Sequence, residues 1–128
     1  MQTIGSRGVF EVAVEPERNR MHLKLMGAWK QADADAYAES IRLALKVVRP
    51  GFTILMDMRQ AAPEMPWIQQ VHLDLQKEAI SAGLRKTAEV FDGHVITKGQ
   101  REKIAEKSGM LRQSFDSMQM AVEWLDVQ

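Results

Sequence analysis

The chain contains no cysteine, so it has no disulfide bonds, no thiolate metal ligands and no thiol nucleophile. It also lacks an excess of either charge, because seventeen Lys and Arg residues balance seventeen Asp and Glu residues. Nothing in that balance indicates nucleic acid or an anionic membrane as a partner. There is no apolar run of membrane-spanning length and no secretory signal pattern at the start. We therefore expect a cytoplasmic protein that does not insert into a membrane.

Motifs for catalysis and cofactor binding are missing as well. The sequence has no nucleophile elbow, no Walker loop and no GxGxxG fingerprint. The histidines His22, His72 and His94 are not at metal-ligand spacing, and we expect the first two to be surface residues. We predict a protein without catalytic residues, cofactor or metal. An enzyme would need Asp57, Arg59 and His94 to share one cleft.

What the sequence does contain is an alternation of strand and helix patterns. At 128 residues we expect one domain, 1–128, in which the small and polar residues 1–8 are flexible. Apolar alternation or apolar runs predict strands at 9–15, 20–27, 52–58, 84–91 and 112–115. Helical spacing predicts helices at about 33–48, 63–82, 98–108 and from 116 onwards. The order ββαβαβαβα predicts an α/β fold with a mixed, mostly parallel sheet flanked by helices.

Three segments of the chain resemble the STAS-like, SpoIIAA-like proteins of bacteria. They read, in order, "LKVVRPGFTILMDMR", "AGLRKTAEVF" and "EKSGMLRQSFDSMQMAVEWL". In that family a helix leads through a Pro-Gly turn to a strand ending in Asp, and the chain closes on Phe-Asp-Ser followed by Trp-Leu. The match extends from about Arg20 to Leu125. It implies a small sheet flanked by helices.

The resemblance also implies a regulatory function. Members of the family bind a regulatory kinase and are switched by phosphorylation of a Ser or Thr in the loop after the central strand. A phosphate there adds roughly two negative charges at a helix start or partner face. The corresponding segment here, "DMRQAAPEMPW", has no Ser and no Thr. We therefore expect a regulatory module that is not phosphorylated at this position.

The carboxyl ends of parallel strands form the edge at which such sheets bind ligands and partners. The residues that the predicted topology places at this rim are Trp29, Asp57, Met58, Arg59, Met65, Trp67 and His94. Exposed Trp and Met are typical of a protein contact or an apolar ligand site, but the same side chains could instead complete the core. Asp57 either accepts backbone N–H bonds or pairs with Arg59, whose guanidinium could otherwise hold a carboxylate or phosphate.

Our leading hypothesis is a non-enzymatic STAS-like module that binds a protein partner through this rim. The alternative is a carrier of a small apolar ligand or lipid, because STAS-like domains are similar to the lipid-exchange CRAL-TRIO fold. The Met and Trp content would suit an apolar pocket between helix and sheet. The identity of the partner or ligand stays open, and a homodimer is one of the options.

Overall fold

The computed structural model describes residues 1–93 and 95–127. The strands are β1 (Gln2–Arg7), β2 (Phe10–Glu15), β3 (Arg20–Gly27), β4 (Thr53–Ala61), β5 (Lys86–Val90) and β6 (Arg112–Phe115). The helices are α1 (Gln31–Val47), α2 (Pro66–Ser81), α3 (Val95–Ser108) and α4 (Met118–Asp126), and a single 3₁₀ turn, Pro16–Arg18, joins β2 to β3.

All six strands form one sheet whose spatial order follows the chain. β1 pairs antiparallel with β2, and β2 pairs antiparallel with β3. From β3 onwards each strand is parallel to its neighbour and is reached through a helix, as parallel pairs require. The predicted single α/β domain with a mixed, mostly parallel sheet is confirmed.

The prediction of a flexible start was wrong, because residues 2–7 form the edge strand β1. Gly5 explains how this strand packs against α1. A Cβ atom at this position would collide with the side chain of Ser40, which is buried on α1. Glycine therefore permits a close approach here, although in the sequence "IGSRG" it resembles a loose segment.

Two apolar cores lie on opposite faces of the sheet. α1 and α2 cover the larger one, which includes Phe10, Tyr37 and Met56. α4 covers the smaller one, which includes Leu55 and Leu125. Since successive residues of a strand point to opposite faces, neighbouring side chains of β4 belong to different cores.

β4 is longer than the sequence predicted, running to Ala61 instead of ending at Met58. α2 begins at Pro66, whose missing N–H costs nothing in the first turn of a helix. Only residues 62–65 remain as the connection between them. Arg59, which the sequence analysis placed after this strand, is therefore a strand residue, as Asp57 and Met58 are.

Candidate functional site

The ends of β3 and β4 lie side by side, with Gly27 paired to Ala61. Trp29 follows the first strand and Met65 follows the second. Both side chains line one pocket of about 80 Å³ at the carboxyl edge of the sheet, with Pro63 and Ile68 among its other walls. Two of the predicted rim residues are thus brought together. We call the pocket that they line the edge pocket.

Trp29 is a fixed wall of the edge pocket. It is half-buried, and its indole N–H donates a hydrogen bond of 3.0 Å to the backbone carbonyl of Val9. Its ring centroid lies 4.8 Å from that of Tyr37, 5.5 Å from that of His72 and 6.0 Å from that of Phe10. Such aromatic contacts anchor a side chain in one orientation. Trp29 therefore contributes both to the core and to the pocket.

The two predicted residues around the start of α2 differ in exposure. Met65 is 62% exposed, although it is a large apolar side chain. Trp67 lies in the first turn of α2, is half-buried, and is not part of the edge pocket wall. Among the predicted rim residues that the structure describes, Met65 is thus the most available to a partner.

Met58 is not a rim residue, and that prediction was wrong. Its side chain is completely buried and belongs to the larger core. The physical reason is the alternation of β4: Met56 and Met58 both point toward α1 and α2, whereas Leu55 points toward α4. The prediction for His94 lies outside the described residues.

Asp57 and Arg59 form a pair on strand β4. Arg59 donates to the carboxylate of Asp57 from Nε (3.0 Å) and from Nη2 (2.9 Å), and its backbone N–H donates as well (3.0 Å). Burial raises the pKa of Asp57, but the bonds from Arg59 outweigh it and lower that pKa overall. Both interpretations of Asp57 are therefore correct, since it accepts a backbone N–H and also pairs with Arg59.

Glu64 is a functional candidate that the sequence analysis missed. Its backbone N–H donates to Gln100 Oε1 at 2.8 Å, while Gln100 Nε2 donates to its carbonyl oxygen at 3.1 Å. Gln69 Nε2 donates to the same carbonyl at 2.9 Å. Side chains from α2 and α3 therefore hold the peptide groups next to Met65 in place.

The side chain of Glu64 is held by His72, which the sequence analysis had placed on the surface. His72 is 2% exposed, and its Nε2 lies 2.6 Å from Glu64 Oε2. Burial raises the pKa of Glu64, but His72 and Arg101 outweigh it and lower that pKa overall. The helical spacing did indicate that His72 is buried, because this residue follows Ile68 by four positions on the inner face of α2.

A buried ion-pair cluster lies behind this loop. Glu89 on β5 has no exposed surface and accepts hydrogen bonds from Arg101 at 2.8 Å and Arg112 at 2.7 Å. Arg101, on α3, is itself 2% exposed. The cluster connects β5, α3 and β6, so it fixes α3 against the sheet. No sequence signal separates these three residues from the many charged residues on the surface.

α3 also begins earlier than predicted, at Val95 instead of about residue 98. Its first two side chains are strongly exposed, with Val95 at 80% and Ile96 at 67%. Ile96 precedes Gln100 by one helical turn, so it lies on the side of α3 that contacts the Glu64 loop. The sequence did indicate this exposed pair, because Val95 and Ile96 are apolar residues at the start of a mostly polar helix.

The interior offers little space for a ligand. A cavity of about 30 Å³ lies between α1, α2 and the sheet, with Tyr37, His72 and Arg101 among its walls. Since one water needs roughly 10–15 Å³, the cavity has room for about two. Among residues 1–93 and 95–127, no group of three or more His, Cys, Asp or Glu side chains is arranged to hold a metal ion. Within the same ranges, every helix is too short or too polar to cross a membrane.

This architecture is a SpoIIAA-like fold. The crystal structure of an uncharacterised DUF3478-family protein with a SpoIIAA-like fold, from Shewanella loihica PV-4, superimposes with a TM-score of 0.73. The alignment covers 94% of this chain and 97% of that one at 14% sequence identity, so the likeness concerns the fold alone. No protein-family model matches the sequence, and no curated protein matches it.

Proposed function

We propose that this chain is a non-enzymatic regulatory module of the bacterial cytoplasm, which binds a protein partner through the carboxyl edge of its sheet. The observation that carries the proposal is Met65, a large apolar side chain 62% exposed beside the edge pocket. Hydrogen bonds from Gln100 and His72 to Glu64 hold its loop in one conformation. A preorganised apolar side chain loses little entropy when a partner covers it.

The arrangement of the pocket supports the same proposal. Protein partners gain most of their binding energy from a few apolar or aromatic side chains that fill well-packed pockets. The edge pocket has a rigid wall in Trp29 and an exposed apolar neighbour in Met65. Without a Ser or Thr between Asp57 and Trp67, regulation at this edge would depend on binding itself rather than on phosphorylation of this segment.

The geometry favours protein docking over the apolar-ligand alternative. Sites for small apolar molecules have volumes of roughly 300–1,000 Å³. The interior cavity of about 30 Å³ and the edge pocket of about 80 Å³ are both far smaller, whereas the depressions of about 450–680 Å³ elsewhere on the molecule are wide open to solvent. A lipid carrier would need a large opening between α2 and the sheet, where the packed side chain of His72 now lies.

A photocrosslinking experiment tests the docking function. A benzophenone side chain replaces Met65 in one variant and Leu43, which is 46% exposed on α1, in the control. Each variant is irradiated in an extract of the source organism, and the cross-linked proteins are identified by mass spectrometry. We expect a partner at position 65 that is not captured at position 43.

A competition experiment shows whether the cross-link at position 65 depends on specific binding. Excess unlabelled wild type should abolish the cross-link, whereas excess Met65→Glu should not, because loss of one buried Met side chain weakens binding by about tenfold or more. Equal capture at both positions, or no capture at position 65, would show that the edge is not a docking site.

A further inference from the structure

The wall of the interior cavity includes two polar side chains whose hydrogen bonding is incomplete. Arg101, on α3, is 2% exposed and donates from Nε to Glu89 and from Nη2 to Met56 Sδ. Gln76, on α2, is 6% exposed, and its Oε1 accepts a bond of 2.6 Å from Ser108. Within the part of the chain that the structure describes, neither Arg101 Nη1 nor Gln76 Nε2 has a hydrogen-bond partner. Both side chains line the cavity, so an acceptor there would complete their hydrogen bonding.

The same wall carries hydroxyl groups that can accept hydrogen bonds. Tyr37, on α1, and Thr87, on β5, both line the cavity. The hydroxyl of Thr87 donates to Met110 Sδ at 3.3 Å, so its oxygen remains able to accept from another donor. A ligand that both accepts and donates therefore fits this wall.

We infer that two water molecules are bound in this cavity in the folded state, where they accept from Arg101 and Gln76 and donate to the two hydroxyl oxygens. A buried donor without a partner is destabilising, whereas a buried water typically makes about three hydrogen bonds to such groups. Because the four side chains lie on α1, α2, α3 and β5, the waters join three helices to the sheet. The cavity shares no wall residue with the edge pocket, so this site is independent of the docking function.

The charges around the cavity favour water over a small anion. The guanidinium of Arg101 is already neutralised by the carboxylate of Glu89 at 2.8 Å. Burial raises the pKa of the Tyr37 hydroxyl, because the interior disfavours its negatively charged form. A chloride ion in the same space would meet the same penalty, and it could not donate to either hydroxyl oxygen.

NMR spectroscopy tests the inference on the wild type. Every residue of the cavity wall is buried, so water inside should exchange slowly with the solvent. We expect NOE and ROE cross-peaks of opposite sign between water and the methyl groups of Ile41 and Leu75, which both line the cavity. Absence of these cross-peaks would overturn the inference. A shift of the same methyl resonances under xenon pressure would do so as well, because xenon enters dry apolar cavities.

A comparison of two salts separates water from an anion. The cross-peaks and the methyl chemical shifts should be the same in sodium chloride and in sodium gluconate, whose anion is too large for the cavity. Saturable shifts that depend on chloride would show that the occupant is an anion, and they would contradict the inference.

A substitution tests the contribution of Gln76. Gln76→Leu removes a donor while nearly preserving the volume of the side chain, and a buried water needs at least about two polar partners. The number of long-lived waters, measured by magnetic relaxation dispersion of the water oxygen, should therefore fall by about one. Gln70→Leu, the same substitution at an exposed position of α2, is the control and should leave the number unchanged. An unchanged number in Gln76→Leu would exclude the proposed bond to Gln76.

Discussion

Glu89 has no exposed surface, and its two carboxylate oxygens accept from two different arginines. Removal of one partner from a buried ion pair costs about 3–5 kcal/mol, because the remaining charge loses its compensation. Because Arg112 still pairs with Glu89, we expect Arg101→Met to lower the free energy of unfolding by up to about that amount. Denaturant titration followed by circular dichroism measures it.

Arg42 provides the comparison for this prediction. It forms a two-bond pair with Glu78, but its side chain is 55% exposed. Surface pairs contribute about 1 kcal/mol or less, so Arg42→Met should change stability only slightly. If the two variants lost the same free energy of unfolding, burial of the ion-pair cluster around Glu89 would not explain the contribution of Arg101 to stability.

At the scale of elements, α3 holds the loop that joins β4 to α2. The contact is the side chain of Gln100, which bonds to both the N–H and the carbonyl of Glu64. Each bond contributes about 0.5–1.5 kcal/mol. We expect Gln100→Ala to raise amide hydrogen exchange at Glu64 by about tenfold or more, as measured by NMR or by mass spectrometry of a peptide spanning residues 62–66.

Gln70→Ala is the control for this experiment, since Gln70 is exposed and bonds to the side chain of Asp74 within α2. It should leave exchange in the loop unchanged. If Gln100→Ala also has no effect, the loop is held mainly by the contact between Glu64 and His72.

For the whole molecule, paired carboxylates make stability depend on pH. The pKa values of Asp57, Glu64, Glu78 and Asp126 are all lowered in the fold. A carboxylate with a lowered pKa binds protons more weakly when folded than when unfolded. Its stabilisation is therefore present above the ordinary values of 3.8 for Asp and 4.5 for Glu, and it is lost as the pH falls through the lowered values.

We expect the free energy of unfolding to fall between about pH 5 and about pH 3, as measured by denaturant titrations across that range. Glu64→Gln should make this decline shallower, because the most buried of these carboxylates no longer takes up a proton on unfolding. Glu39→Gln, on the exposed side of α1, is the control. If stability declined identically in the wild type, Glu64→Gln and Glu39→Gln, Glu64 would make no contribution to the pH dependence.

The sequence determined the order of the elements from β2 onwards, because local periodicity of apolar residues distinguishes helix from strand. The alternating strands and helices after β3 were enough to predict parallel pairing, and hence the edge at which Trp29 and Met65 meet. The lengths of the strands and helices were predicted less accurately. Pairing with β3 extends β4 to Ala61, beyond its local pattern, and α3 starts at Val95 although its first two side chains are exposed.

Which side chains the edge exposes was decided by the tertiary structure. Met58 and Met65 look equally available in the sequence, but α1 and α2 cover the face of β4 that carries Met58 and leave Met65 in water. His72 and Glu64 are eight residues apart, and Glu89 and Arg101 are twelve apart, yet each pair meets in the interior. Local periodicity carries no information about these contacts, because burial depends on which other element packs there.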